Sequence, residues 1–204
     1  MRLSPASQRT ASRLFQAGIA VLLGVGVVLG NLAVVVNAAL ALAVTFLPAL
    51  VRRDWQVHLG PALSLWVTVA VFLHVVGMLG LYVSTTWFDH VTHLFSAALV
   101  AAVGYSVIHV VDRHSEDVFL PPEFRFVFIV LFTLAAGVLW ELLEFAARYA
   151  SILLGTESPL IQYGPNDTML DLVFDAAGAV LVGALGQARL GAAADAVLEQ
   201  LRDG

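Results

Sequence analysis

The chain has no cysteine among its 204 residues. That excludes disulfides, a thiol nucleophile and any Cys-ligated metal, so a metal ion here must be held by histidine and carboxylate. Charge is also scarce, at 12% of residues, and lysine is missing: all ten basic residues are arginine. No cluster of them resembles a nucleic-acid or anionic-lipid patch, and nucleic acid is not expected as a partner. No serine nucleophile elbow, glycine-rich phosphate loop or HExxH zinc motif occurs. Inverted repeats, which mark many transporters, are absent as well.

What the chain has in abundance is apolar surface. Hydrophobic residues make up 60% of it and the mean hydropathy is +0.89, against roughly 45–50% apolar for soluble domains. Lipid is therefore the expected solvent. The length leaves room for several spans of about 20 residues but for no second globular domain. The expectation is one all-α integral membrane domain over 1–204, with the lipid bilayer of the inner or plasma membrane as its surroundings.

Leu14 to Val51 carries no charge. One helix of that length would be nearly twice a hydrocarbon core of about 30 Å, so the run must fold back, with Gly30 and Asn31 as the turn. Helices are expected at 14–29, 32–51, 61–83, 89–111, 125–150 and 168–188, six in all. A separate amphipathic surface helix is expected after Arg189. Arg2, Arg9, Arg13, Arg52, Arg53, Arg113, Arg125 and Arg189 flank alternate ends of these spans, with Arg148 near the outer end of the fifth as the exception, which places both termini in the cytoplasm. A cleavable signal peptide ending near Ala39-Leu40-Ala41 competes for the first run, but it needs a shorter apolar stretch than this one and would spoil the alternation of arginines. Trp55, Trp87, Tyr82 and Tyr149 fall near span ends, as an aromatic belt does. Gly178, Gly183 and Gly186 suggest close helix packing.

The last two spans reach membrane length only by taking in acids. Glu141 and Glu144 are i,i+3, Asp171 and Asp175 are i,i+4, and Asp89 and His93 are i,i+4, so each pair shares a helix face. The alternating topology puts all three pairs at one level near the outer face, with Asp167 extending the last stripe. Intramembrane acids cost roughly 2.5–3.5 kcal/mol each at mid-span and are functional-site hypotheses by default. Plainer roles compete: Thr86-x-x-Asp89 and Thr168-x-x-Asp171 fit capping boxes, Glu144 has Arg148 one turn away as an ion-pair partner, and His90 and His93 could be interfacial. His74 reads best as a hydrogen-bonded core histidine, and His58 and His109 lie towards the cytoplasmic ends. Acid is in surplus over Arg148, His90 and His93, so the carboxylates share protons or surround a cation.

The segments Trp87-Phe88-Asp89-His90-Val91-Thr92-His93, Trp140-Glu141-Leu142-Leu143-Glu144-Phe145, and Gln162-Tyr163-Gly164 with Asp167-Thr168-Met169-Leu170-Asp171 resemble, in that order, the YjdF-like family of small inner-membrane proteins. More distantly they are similar to VanZ-type membrane proteins. The resemblance spans about residues 60–186 and implies a multi-helix membrane fold with an acid-and-histidine signature at Asp89, His93, Glu141, Glu144, Asp167 and Asp171, without implying a reaction. Relatives often carry Lys or Arg where this chain has His90.

Two functions follow as expectations. One is a membrane-embedded enzyme that uses a divalent cation (Mg, Mn or Zn) held by Asp89, His93, Glu141, Glu144, Asp171 and Asp175, with Glu141 and Asp171 catalytic, on a lipid-linked substrate. The other is a proton or metal-ion transporter with an ionic substrate. A structural or accessory protein, in which buried acids only fix helix packing, is the third reading.

Overall fold

The computed structural model describes residues 3–55, 59–114 and 119–203. His58 lies outside them, as do the side chains of Trp55 and Arg189. Among the described residues the chain is helical, without strands, and six segments are long and apolar enough to span a membrane: Pro5–Leu29, Leu32–Asp54, Pro61–Ser84, Thr86–Arg113, Pro122–Leu154 and Pro165–Gly186. The all-α, six-span architecture expected from hydropathy is thus the one observed.

Helix α1 (Pro5–Leu29) starts well before its apolar run. Ser4 caps it, accepting from the Ser7 amide at 3.1 Å, and Pro5 sits where a missing N–H costs nothing. It stops at Gly30, whose φ of 65° is the left-handed conformation that glycine adopts without strain. Asn31 then caps α2 (Leu32–Thr45) by accepting from the Val34 amide at 3.0 Å. The expected turn is therefore a C-cap followed directly by an N-cap. Pro48 lies in the first turn of α3 (Leu47–Trp55), where its missing donor is tolerated, and the break at Phe46 divides the second span in two.

The third span is not the continuous helix expected over 61–83. α4 (Pro61–Val76) gives way to a π-helical turn at Gly77–Leu81, with Gly80 at φ 140°, before the short α5 (Tyr82–Ser84). The turn folds the Tyr82 ring against the Cα of Gly77, where any Cβ would overlap it. Tyr82 is accordingly buried, whereas Trp87 and Tyr149 are exposed as belt residues should be. α6 (Thr86–His114) and α7 (Pro122–Leu154) follow. α8 (Pro165–Asp203) runs unbroken through Arg189, so the surface helix expected after that residue is a continuation of the last span. A span ends where lipid ends, but a helix ends where its backbone hydrogen bonds do, and polar residues of good helical propensity carry both α1 and α8 past the apolar run.

The chain forms two compact units: residues 1–92 with 142–163, and 93–141 with 164–204. In the first, Ile19, Ala38, Ala41 and Val75 make one buried cluster and Val34, Met78 and Tyr82 another. A polar chain runs beside them. The Asn37 amide donates to the carbonyls of Pro159 (2.6 Å) and Ala33 (2.9 Å), leaving its Oδ1 to accept from His74 Nε2 at 2.9 Å. His74 Nδ1 meets the Tyr82 hydroxyl at 3.0 Å. His74 is thus the hydrogen-bonded core histidine of the plainer reading. In this unit Arg9, Arg13 and Arg52 line a single pocket.

In the second unit, Ala101, Tyr105, Ile108, Ile129 and Ala179 are the core. Glycines set its helix spacing. A Cβ on Gly178 would stand 2.7 Å from the Leu94 carbonyl oxygen and 2.9 Å from the Ala98 nitrogen, so α8 and α6 touch backbone to backbone. Gly104 and Gly183 receive the rings of Phe132 and Phe126. Arg125 pairs with Asp112 at 3.2 Å, and His109, stacked on Tyr105 of this core, meets Asp195 through Nε2 at 2.7 Å. That hydrogen bond, with His109 and Arg113 nearby, holds the Asp195 carboxyl below its ordinary value.

Candidate functional site

Three helices of the second unit bring acids and a histidine together. α6 contributes His93, α7 Glu141, and α8 Asp167, Asp171 and Asp175 at successive turns. Asp171 is 1% exposed, Asp175 4% and Glu141 5%. None of the three can be solvated by water, and each must be answered by protein, proton or ion.

His93 is the hub. Its Nδ1 lies 3.2 Å from Asp175 Oδ1, and its Nε2 lies 4.0 Å from Glu141 Oε1. One ligand atom each of His93 and Asp171 also falls within 4.8 Å, as it does for Asp167 and Asp171. An ionised Asp175 accepts a hydrogen bond from Nδ1–H, and in the neutral imidazole this leaves the Nε2 lone pair towards Glu141. Two acceptors then face one another across 4.0 Å. Glu141 Oε1 is buried without a hydrogen-bond partner, as is Asp175 Oδ2.

The other Glu141 oxygen is well satisfied: Thr168 Oγ1 donates to Oε2 at 2.6 Å. This corrects the capping reading of Thr168-x-x-Asp171. α8 begins at Pro165, with the Thr168 amide bonded to the Gly164 carbonyl, so Thr168 is already helical and its hydroxyl is spent on α7. Asp171 lies beyond the first turn, where no free amide awaits it. The Thr86 box fails likewise, since Thr86 is itself the first residue of α6.

Gly137 was not signalled by sequence pattern. It sits one turn before Glu141 on α7, and its missing side chain makes the space that Asp175 Oδ2 occupies. A glycine four residues before an intramembrane acid was the available hint.

Asp89, His90 and Glu144 belong to the first unit. Asp89 is half-buried in the first turn of α6, where its carbonyl accepts the Thr92 hydroxyl at 2.7 Å. Glu144 is buried. Arg148, its expected partner, donates to the Gln162 carbonyl at 2.8 Å.

A family model described as "Predicted membrane protein (DUF2238)" matches residues 11–192. This is the group that contains the YjdF-like proteins, so the resemblance read from the three motifs agrees with it, while nothing found extends to VanZ-type proteins. No curated protein and no solved structure matches the chain.

Proposed function

The chain belongs to the DUF2238 family of predicted membrane proteins, and on that footing we propose that it holds a divalent cation between His93, Glu141 and Asp171 and uses it as a membrane-embedded enzyme. The observation that carries this reading is the pair of acceptors, His93 Nε2 and Glu141 Oε1, facing each other at 4.0 Å with Oε1 lacking any hydrogen-bond donor. Ligand distances for Zn, Mg or Mn are about 2.0–2.2 Å, so the separation is close to the span of two ligands across one ion. Asp175 then plays the outer-shell role common to metal-bound histidines, accepting from the ring nitrogen that faces away from the ion. Thr168 does the same for Glu141.

The donor set of imidazole and carboxylate suits Mn, Zn, Fe or Mg. A bound ion would lower the pKa of a coordinated water and polarise a phosphoryl or carbonyl oxygen. Asp171, buried beside His93, is the group placed to take a proton. A site at membrane depth, in the plasma membrane and near its outer face by the arginine pattern, is matched by a lipid-linked phosphate or ester as substrate.

Element-resolved metal analysis of purified protein tests the reading. Wild type should retain Mn, Zn or Mg stoichiometrically and Glu141→Gln should not, while Asp195→Asn, outside the cluster, should match wild type. Wild-type protein free of metal, with a melting point unmoved by saturating Mg, Mn and Zn, would replace the cation by a shared proton.

A further inference from the structure

A pocket of about 440 Å³ opens in the first unit, lined by Arg9, Ser12 and Arg13 of α1, Arg52 of α3, and Ser64 and Thr68 of α4. Its size is ordinary for a small-molecule site, but its charge is not. Among the described residues three guanidinium groups line it and no carboxylate does. Among the described residues none of the three arginines forms an ion pair. Neighbouring Arg53 does, to Asp54 at 2.6 Å, and it does not line the pocket.

The local structure explains how the charges meet. Arg9 and Arg13 are one turn apart on α1 and share a face. Arg52 is brought in by α3, after the break at Phe46. Their depth is set by sequence: the uncharged run begins at Leu14 and ends at Val51, so Arg13 and Arg52 are the first charged residues beyond either end of it. That level is where bilayer headgroups lie. Uncompensated like charges around one cavity repel, and an anion there relieves them. Planar guanidinium forks match the oxygens of phosphate in particular, whereas the hydroxyls of Ser12 and Ser64, also at the wall, donate to the carbonyls of Gln8 and Gly60.

We propose that this pocket binds a phosphate group, presented by the headgroup of an anionic lipid on the cytoplasmic leaflet. The site is separate from the His93 cluster and does not depend on it.

Full-length protein in nanodiscs of pure phosphatidylcholine is compared with nanodiscs containing phosphatidic acid or phosphatidylglycerol, by thermal melting and by mass spectrometry of co-purifying lipid. A second arm titrates inorganic phosphate into detergent-solubilised protein. Anionic lipid should be enriched and raise the melting point, and the effect should fall with salt. Arg52→Gln and Arg13→Gln should each weaken binding about fivefold, the share of one arginine near an anionic surface. Arg53→Gln, with the same change of charge, should bind as wild type. Inorganic phosphate binding as tightly as lipid would keep the site and assign it to a soluble phosphate. Equal losses in Arg53→Gln and Arg52→Gln, or no preference over phosphatidylcholine and buffer in either arm, would overturn the proposal. Arg9→Gln and Arg13→Gln on α1 carry the test if Arg52→Gln does not fold.

Discussion

Gly178→Ala should destabilise the protein although alanine is the better helix former. In an open helical position the exchange gains about 1 kcal/mol of propensity, and Gly24 is such a position, exposed on α1 with nothing within 4 Å of where a methyl group would stand. At Gly178 the same methyl would stand 2.7 Å from a backbone oxygen and 2.9 Å from a backbone nitrogen of α6. Neither can rotate away, so the helices must part, at an overpacking cost of roughly 1–3 kcal/mol. After the propensity gain the net loss is about 0–2 kcal/mol, or up to roughly 8 °C at 2–4 °C per kcal/mol for a chain of this size. The loss should also reach the site. Asp175 is three residues before Gly178 on α8, and moving α8 from α6 lengthens its 3.2 Å contact with His93. Thermal melts in detergent followed by tryptophan fluorescence are suitable, since the chain has four tryptophans and no cysteine for thiol dyes. Gly178→Ala should melt lower and Gly24→Ala at or above wild type. Equal shifts of the same sign in both variants would refute backbone-to-backbone packing as the reason for Gly178.

Reporters inserted between 115 and 118 should read cytoplasm and between 156 and 162 outside; the reverse would overturn the orientation drawn from the arginines. Asn37→Ala should cost about 1 kcal/mol or more by chemical or thermal unfolding, because it strands His74 Nε2 and the Pro159 carbonyl together, and an unchanged melt would show that the polar chain is dispensable. The depressed Asp195 carboxyl makes a contribution that is fully present above its unfolded pKa, near the ordinary value of 3.8, and is lost as pH falls through the lower folded value. Hydrogen exchange over 187–203 should therefore quicken at that acid end in wild type and show no such step in Asp195→Asn. If the His93 cluster holds a cation, adding the metal should raise the wild-type melting point by mass action, and His93→Ala should abolish the gain.

Hydropathy alone was enough for six spans and for the Gly30–Asn31 turn, because a bilayer permits few backbone arrangements and an uncharged run from Leu14 to Val51 has to be folded once. Span length likewise put Glu141, Asp171 and Asp175 within the spans, since the last two runs reach membrane length only by taking in acids. Sequence could not say which atoms those acids face. Thr168 and Asp171 fit a capping box by spacing, and only the start of α8 at Pro165 freed the Thr168 hydroxyl for Glu141. Gly137 is silent in one dimension, since a missing side chain acquires meaning from the carboxylate that takes its place. The arginines make the same point: along the chain Arg9, Arg13 and Arg52 are flanking charges of two spans, and the fold of α1 against α2 and α4, with α3 following α2, makes them walls of one pocket. Solvent preference is written locally and is legible residue by residue, whereas a site is a set of distances between helices, which exist only after small residues such as Gly178 have allowed those helices to meet.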